Sequence, residues 1–116
     1  YEIRLSLVGS EMCIRDSECT HNAHMFYIKV KDLEQRTRLS AYLKEKGIAT
    51  AFHYVPLHTS KAGRQYGRFV GEDRFTTRES ERLLRLPMYY GLAQSDIAYI
   101  TESIKRFFGR QDVEKG

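Results

Sequence analysis

Gly47-Ile48-Ala49-Thr50-Ala51-Phe52-His53-Tyr54-Val55-Pro56-Leu57-His58 reads as a short strand, released from a helix by a glycine and stopped by a proline. Ile48, Thr50, Phe52 and Tyr54 alternate with Ala49, Ala51, His53 and Val55, and a period of two sends successive side chains to opposite faces. The larger apolar residues share one set. Ile48, Phe52 and the ring of Tyr54 are therefore expected on the core face, with His53 on the other among small alanines. Pro56 lacks the N–H that a central ladder needs, so His53 and Tyr54 are expected at a strand end or sheet edge. Open α/β architectures present ligand groups there. Two histidines and a tyrosine within six residues of a forced turn are the densest polar chemistry in the chain.

Upstream, Phe26, Ile28 and Val30 alternate with Met25, Tyr27 and Lys29 and predict a strand over Ala23–Val30. Asp32 with Gln35 three residues on is a capping box. Leu33, Leu39, Tyr42 and Leu43 form the buried stripe of the helix it opens, and Gly47 supplies a left-handed stop. Downstream, Ser60–Arg74 is polar, with Gly63, Gly67 and Gly71 at four-residue intervals, and reads as one short helical turn and a mobile loop. Thr76 with Glu79 is a second capping box, opening a helix through Leu83 or Leu84. Arg85-Leu86-Pro87-Met88 follows as a short strand at an edge or strand end. Ser95 caps a last helix striped by Ile97, Ile100, Ile104, Phe107 and Phe108 and ended by Gly109. The order has too few helices for a doubly wound sheet. It predicts a small α/β (α+β) domain of about three short strands, antiparallel or mixed, with helices packed on one face.

Residues 1–17 (YEIRLSLVGSEMCIRDS) break this pattern. They carry no helical or strand period, and no basic stretch leads into an apolar core, which excludes a signal peptide. The string resembles translated sequencing-adapter read-through and is expected to be non-native and irregular. The domain is then expected over residues 18–109, followed by a polar tail at 110–116, with a missing upstream part before Glu18. A length of 116 residues suits one domain or a piece of a larger protein. The 19 basic and 15 acidic residues are interspersed, so no stripe marks a nucleic-acid surface, and no apolar run is long enough to span a bilayer. Cys13 and Cys19 support neither a disulfide scaffold nor a thiolate zinc site, and point to a reducing compartment. His21 with His24, and His53 with His58, lack a completing glutamate, so no metal site is expected.

Asn22-Ala23-His24-Met25-Phe26-Tyr27-Ile28, then Gly47-Ile48 leading into His53-Tyr54-Val55-Pro56-Leu57-His58, then Arg85-Leu86-Pro87-Met88-Tyr89 stand in an order and spacing that resemble the C-terminal domain of the DegT/DnrJ/EryC1/StrS sugar aminotransferases. The resemblance covers about Asn22 to Phe108. It implies the small domain of a fold-type-I enzyme that uses pyridoxal phosphate. It also implies a cytoplasmic homodimer moving an amino group from glutamate to the C4 ketone of a dTDP-linked 6-deoxy sugar. The aldimine lysine, the phosphate-binding residues and the acid beside the pyridine nitrogen would belong to a large N-terminal domain. None of the seven lysines here stands in such a context. This chain is therefore expected to hold no catalytic and no cofactor-binding residue, and to be inactive alone.

Its candidate substrate-binding residues are His53, Tyr54, His58 and Arg85. His53 either donates to the sugar or its diphosphate, or satisfies backbone groups freed by Pro56. Tyr54 points its hydroxyl into the site or packs its ring in the core, the second being the expectation. His58 is expected to stabilise the turn, and His24 to be structural. Arg85 could meet a carboxylate or phosphate bidentately. The glycine series is no phosphate loop, since no lysine follows it; it marks flexibility over the site. A rival from another class is a basic α/β nucleic-acid module stacking bases on Phe26, Tyr27, Phe52 and Tyr54. Three strands in place of four, and no basic-Gly-aromatic-Gly signature, count against it. A regulatory interaction domain that kept the fold and lost the enzyme is the second rival.

Overall fold

The computed structural model describes residues 25–114, with side chains up to Arg110. Ala23 and His24 of the predicted first strand, Cys13, Cys19, His21 and the segment 1–17 lie outside the described residues. The first strand, β1, spans Phe26–Lys29. Asp32 then caps α1 (Leu33–Glu45) as the capping box requires. Its Oδ1 accepts from the Gln35 N–H at 2.8 Å, and Gln35 Oε1 accepts from the Lys31 N–H at 2.8 Å.

The far end of α1 closes by an equally local rule. Gly47 sits at φ +76°, the Ile48 N–H donates to Leu43 O at 2.9 Å and the Gly47 N–H to Lys44 O at 3.0 Å. This is the double hydrogen bond of a Schellman stop, and the buried pair Leu43 and Ile48 supplies its apolar contact. Leu39 and Leu43 are fully buried and Tyr42 is packed beside them. Leu33, expected in the stripe, is instead exposed at the first helical position and lies outside the core cluster.

Three antiparallel strands form the sheet in the order β1-β3-β2. The central strand β3 (Leu83–Leu86) faces β1 through Phe26↔Leu86 and Ile28↔Leu84, and β2 (Ala51–Phe52) through Ala51↔Arg85 and Phe52↔Leu84. Ile28, Val30, Leu84 and Leu86 project to one side. They are covered by Leu39 and Leu43 of α1 and by Ile100, Ile104 and Phe107 of α4 (Gln94–Glu114). The helices thus lie on one face, as a sheet with one apolar side demands. Tyr27, Lys29, Leu83 and Arg85 occupy the other face, half-buried. Among the described residues no helix is long and apolar enough to cross a membrane.

Local expectations are corrected at β2, α3 and α4, and the strand expected at Arg85–Met88 is found at Leu83–Leu86. The second strand is two residues long, and Tyr54 at φ +51°, two residues beyond its end, turns the chain away from the ladder. Phe52 keeps register with Leu84 but sits at the sheet edge, 57% exposed, and Tyr54 is 72% exposed; neither joins the core. The Thr76–Glu79 box does not form, and α3 (Thr76–Arg82) follows Phe75 without a side-chain cap. Glu79 pairs instead with Lys29 at 2.6 Å and Arg82 at 3.1 Å, since two cations outweigh one backbone N–H for an ionised carboxylate. The helix then gives way to β3 at Leu83, so that Arg82, only 8% exposed, can donate through Nε to Val30 O at 2.8 Å. Finally, α4 starts at Gln94, one residue before Ser95, and runs through Gly109 to Glu114. A helical glycine costs only about 1 kcal/mol, too little to stop a helix whose preceding turns are buried.

Candidate functional site

The chain leaves β2 at Phe52 and enters the segment His53–Ser60, whose backbone is held at Tyr54, at Pro56 and Leu57, and at Thr59 and Ser60. Tyr54 adopts a left-handed conformation (φ +51°) that among the described residues is otherwise taken by glycines. For a residue with a Cβ this costs about 1–2 kcal/mol, and such strain gathers at binding sites. It is held from a distance. Ser80 Oγ donates to Tyr54 O at 2.8 Å, and Arg36 Nη1 donates to Ser80 O at 2.8 Å. The same guanidinium lies 5.9 Å from the centre of the Phe52 ring.

Past Pro56 the 3-10 turn Leu57–Thr59 is closed by side chains. Thr59 Oγ1 donates to Pro56 O at 2.9 Å and Ser60 Oγ to Leu57 O at 2.7 Å. Ser60 also caps α2 (Lys61–Tyr66) by accepting from the Gly63 N–H at 3.0 Å. Gly63 is obligatory there: a Cβ would stand 1.7 Å from Leu57 O, so turn and helix pack backbone on backbone.

His58 is the pin of this segment. Its Nε2 lies 2.7 Å from Asp73 Oδ2 and 3.3 Å from Thr77 Oγ1, and its ring rests 4.4 Å from that of Phe69. The Thr77 hydroxyl donates to the same Asp73 oxygen, and the Thr77 N–H donates to Oδ1 at 3.2 Å. The Asp73 carboxyl is held below its ordinary value, first by the Thr77 hydroxyl, then, against an opposing desolvation, by the Thr77 N–H and His58. His58 thus ties the 3-10 turn to Asp73 and to Thr77 at the start of α3.

His53 is placed differently. It is half-buried, its ring lies 4.7 Å from that of Tyr54, and its Nδ1 is buried without a hydrogen-bond partner among the described residues. Burying a polar nitrogen without a partner is costly, about 1–3 kcal/mol. Tyr54, Val55 and Leu57 beside it are all exposed, Leu57 at 79%.

Arg85 lies apart from His58. It sits in the middle of β3 opposite Tyr27 and Ala51, on the face away from the helices. There it lines a hollow of about 250 Å³ with Met25, Thr50, Ala51, Pro87 and Met88. A neighbouring groove of about 480 Å³ runs between Phe26, Pro87, Met88, Tyr89 and Ile97. The structure therefore brings His53 and Tyr54 together, joins His58 to them through the turn, and leaves Arg85 on the open sheet face, one strand away. Asp73, Thr77, Ser80 and Arg36 are residues the sequence reading did not single out. Asp73 carried a signal, an acid just ahead of a helix. Ser80 and Arg36 carried none, because their partners lie 26 and 44 residues away.

Residues 4–105 match the family model of the DegT/DnrJ/EryC1/StrS aminotransferase family, and the chain belongs to that family. Among curated relatives, the pleiotropic regulatory protein of Geobacillus stearothermophilus is 28% identical over 99 residues, which are 84% of this chain and 27% of that protein. Among solved structures, the aminotransferase TlmJ from Streptoalloteichus hindustanus superposes with a TM-score of 0.65 at 25% identity, over 75% of this chain and 22% of TlmJ. Spr1654 from Streptococcus pneumoniae, described as a sugar aminotransferase and solved in its PMP form, gives 0.60 at 26% identity, over 75% and 22% of the two chains. This chain thus spans about a quarter of the length of these relatives.

Proposed function

We propose that this chain is the C-terminal, substrate-enclosing part of a pyridoxal-phosphate-dependent sugar aminotransferase. In this reading a large N-terminal domain holds the cofactor, and the intact enzyme works as a cytoplasmic homodimer. It takes the amino group of glutamate to the C4 ketone of a dTDP-linked 4-keto-6-deoxyhexose. The stretch Gly71 to Leu84 resembles dTDP-4-amino-4,6-dideoxygalactose transaminase, and that likeness supports, as part of the proposal, a product among the 4-amino-4,6-dideoxy sugars of surface polysaccharide, the enterobacterial common antigen in particular. The observation that carries the proposal is the His53–Leu57 edge: a strained, externally braced backbone with a buried, unpartnered imidazole nitrogen and apolar side chains in solvent.

The described lysines do not fit an anchor for pyridoxal phosphate. Lys29 is paired with Glu79, and Lys31, Lys44, Lys46, Lys61 and Lys105 are exposed, whereas an imine-forming lysine needs a sheltered amine of lowered basicity. No chemical step is therefore assigned to this chain. Its residues bind and orient: His53 toward a sugar hydroxyl or the diphosphate, Tyr54 beside it, Arg85 toward an anionic group, and His58 by holding the turn that carries them.

Purified chain incubated with pyridoxal phosphate, glutamate and dTDP-4-keto-6-deoxyglucose is expected to give no amino sugar and no aldimine absorbance. The same chain joined to the large domain of a family relative is expected to give both. Product from the chain alone would overturn the division of labour. A folded, cofactor-loaded fusion without turnover would favour a second reading, a regulatory domain, which the name of the Geobacillus relative brings forward. The boundary at residue 18 belongs to the same proposal. Removing residues 1–17 is expected to change stability by no more than about 0.5 kcal/mol, although the family match begins at residue 4; a loss of several kcal/mol would make them part of the fold.

A further inference from the structure

We infer that Ser80 and Arg36 are positioning residues: together they hold Tyr54 in its left-handed conformation, and so set the affinity of the His53–Tyr54 edge for the diphosphate end of a nucleotide sugar. The ligand half of this statement rests on the function proposed above; the conformational half stands on the geometry alone.

A tyrosine at φ +51° returns to the extended region unless something opposes it. Its own neighbourhood offers little opposition. The Tyr54 ring is exposed, and among the described residues no strand lies beyond the Phe52 edge. What opposes it is the hydroxyl of Ser80, which reaches out of α3 to the Tyr54 carbonyl at 2.8 Å. A serine inside a helix ordinarily bonds back to a carbonyl of its own preceding turn. Ser80 bonds outward, across 26 residues.

The second link supports the first. Ser80 lies in the last turn of α3, where backbone carbonyls have no partner within the helix. Arg36 supplies one, donating to Ser80 O at 2.8 Å from α1 while its guanidinium covers the Phe52 ring. One arginine thus fixes the helix end that carries Ser80 and the strand end that carries Tyr54. The strained residue is tied to α3 through Ser80 and, through Arg36, to α1, whose Leu39 and Leu43 belong to the core. A preformed edge binds more tightly because the ordering has already taken place before the ligand arrives.

The test uses the full chain, isotope-labelled, with Ser80→Ala, Ser80→Thr and Arg36→Gln. The scalar coupling between the Tyr54 amide and α protons reports φ directly, and thymidine 5′-diphosphate is the binding probe, followed at the His53 and Tyr54 resonances. Ser80→Ala is expected to move the Tyr54 coupling to its extended value and weaken the probe about tenfold, equal to about 1.4 kcal/mol. Amide signals of Leu43 and Ile104 should stay in place. Arg36→Gln should do the same in smaller measure, and Ser80→Thr, which keeps the hydroxyl, should restore both readouts. An unchanged Tyr54 coupling in Ser80→Ala overturns the inference whatever the probe does. A relaxed coupling with undiminished probe affinity overturns the link to binding. Should the unsubstituted chain leave the probe unbound, the substrate reading falls, while the coupling still decides the clamp.

Discussion

Gly63→Ala puts a methyl carbon 1.7 Å from Leu57 O and 2.7 Å from Leu57 C. Both atoms are backbone, so no rotamer change relieves the overlap, and the 3-10 turn and α2 must separate. Two effects oppose each other. Alanine favours the helical state by about 1 kcal/mol over glycine, while overpacking costs about 1–3 kcal/mol and more where rigid atoms meet. The clash wins, with a net local loss of about 1–2 kcal/mol. The loss stays local because α2 has six residues and buries none of them, so it undocks at little cost to the rest. Hydrogen exchange reads this residue by residue. The Arg64 and Gly67 amides, bonded to Ser60 O and Gly63 O at 3.0 Å each, should exchange about 5- to 30-fold faster. Amides of the buried stretches around Leu43 and Ile104 should not change. Equal or stronger protection at Arg64 and Gly67 would mean that helix propensity prevails and the backbone contact is not made.

Two further outcomes follow from the same geometry. Gly47→Ala meets no atom within 4 Å but must hold φ +76°, so the domain should lose about 1–2 kcal/mol in urea unfolding, with Gly47→Asn losing less; unchanged stability would remove the left-handed stop from the account. The Asp73 carboxyl, lowered below 3.8, gives the His58–Asp73–Thr77 clasp a stabilisation that is complete above that value and lost as pH falls through the lower folded one. His58 and Phe69 ring signals should therefore shift together below pH 3.8 and not in Asp73→Asn; opening well above that pH would contradict the assignment.

What could be read from the sequence, and what could not, divides along contact distance. Helix α1 was legible at both ends because its capping box and Schellman stop are made within four or five residues. The three-strand, one-sided architecture was legible because alternation at Phe26–Val30 and the Ile100–Ile104–Phe107 stripe each have a single way to be buried. The end of β2 was not legible. Alternation carries on through Tyr54 and Val55, but the ladder stops at Phe52, and the Tyr54 carbonyl two residues on accepts from Ser80, 26 residues away in α3. The Thr76–Glu79 box failed for a similar reason, since Lys29 lies 50 residues from Glu79 and competes for its carboxylate. Of the candidate site, the His53–His58 segment was located by its proline and its polar density. Its bracing by Ser80, Arg36 and Asp73 was not, because a hydroxyl or carboxylate says nothing in sequence about a distant partner.

The most direct measurement is His53→Ala in the intact aminotransferase proposed above, with steady-state kinetics on the dTDP-4-keto-6-deoxy sugar. His53 is half-buried at the end of β2; the proposed function gives its imidazole one hydrogen bond to the sugar nucleotide, and one such bond contributes about 1–3 kcal/mol. The sugar-nucleotide KM is expected to rise roughly ten- to a hundred-fold, with the cofactor retained and the melting temperature unchanged. Unaltered kinetics together with a melting temperature lowered by several degrees would contradict it, and would make His53 a structural residue of the strand end.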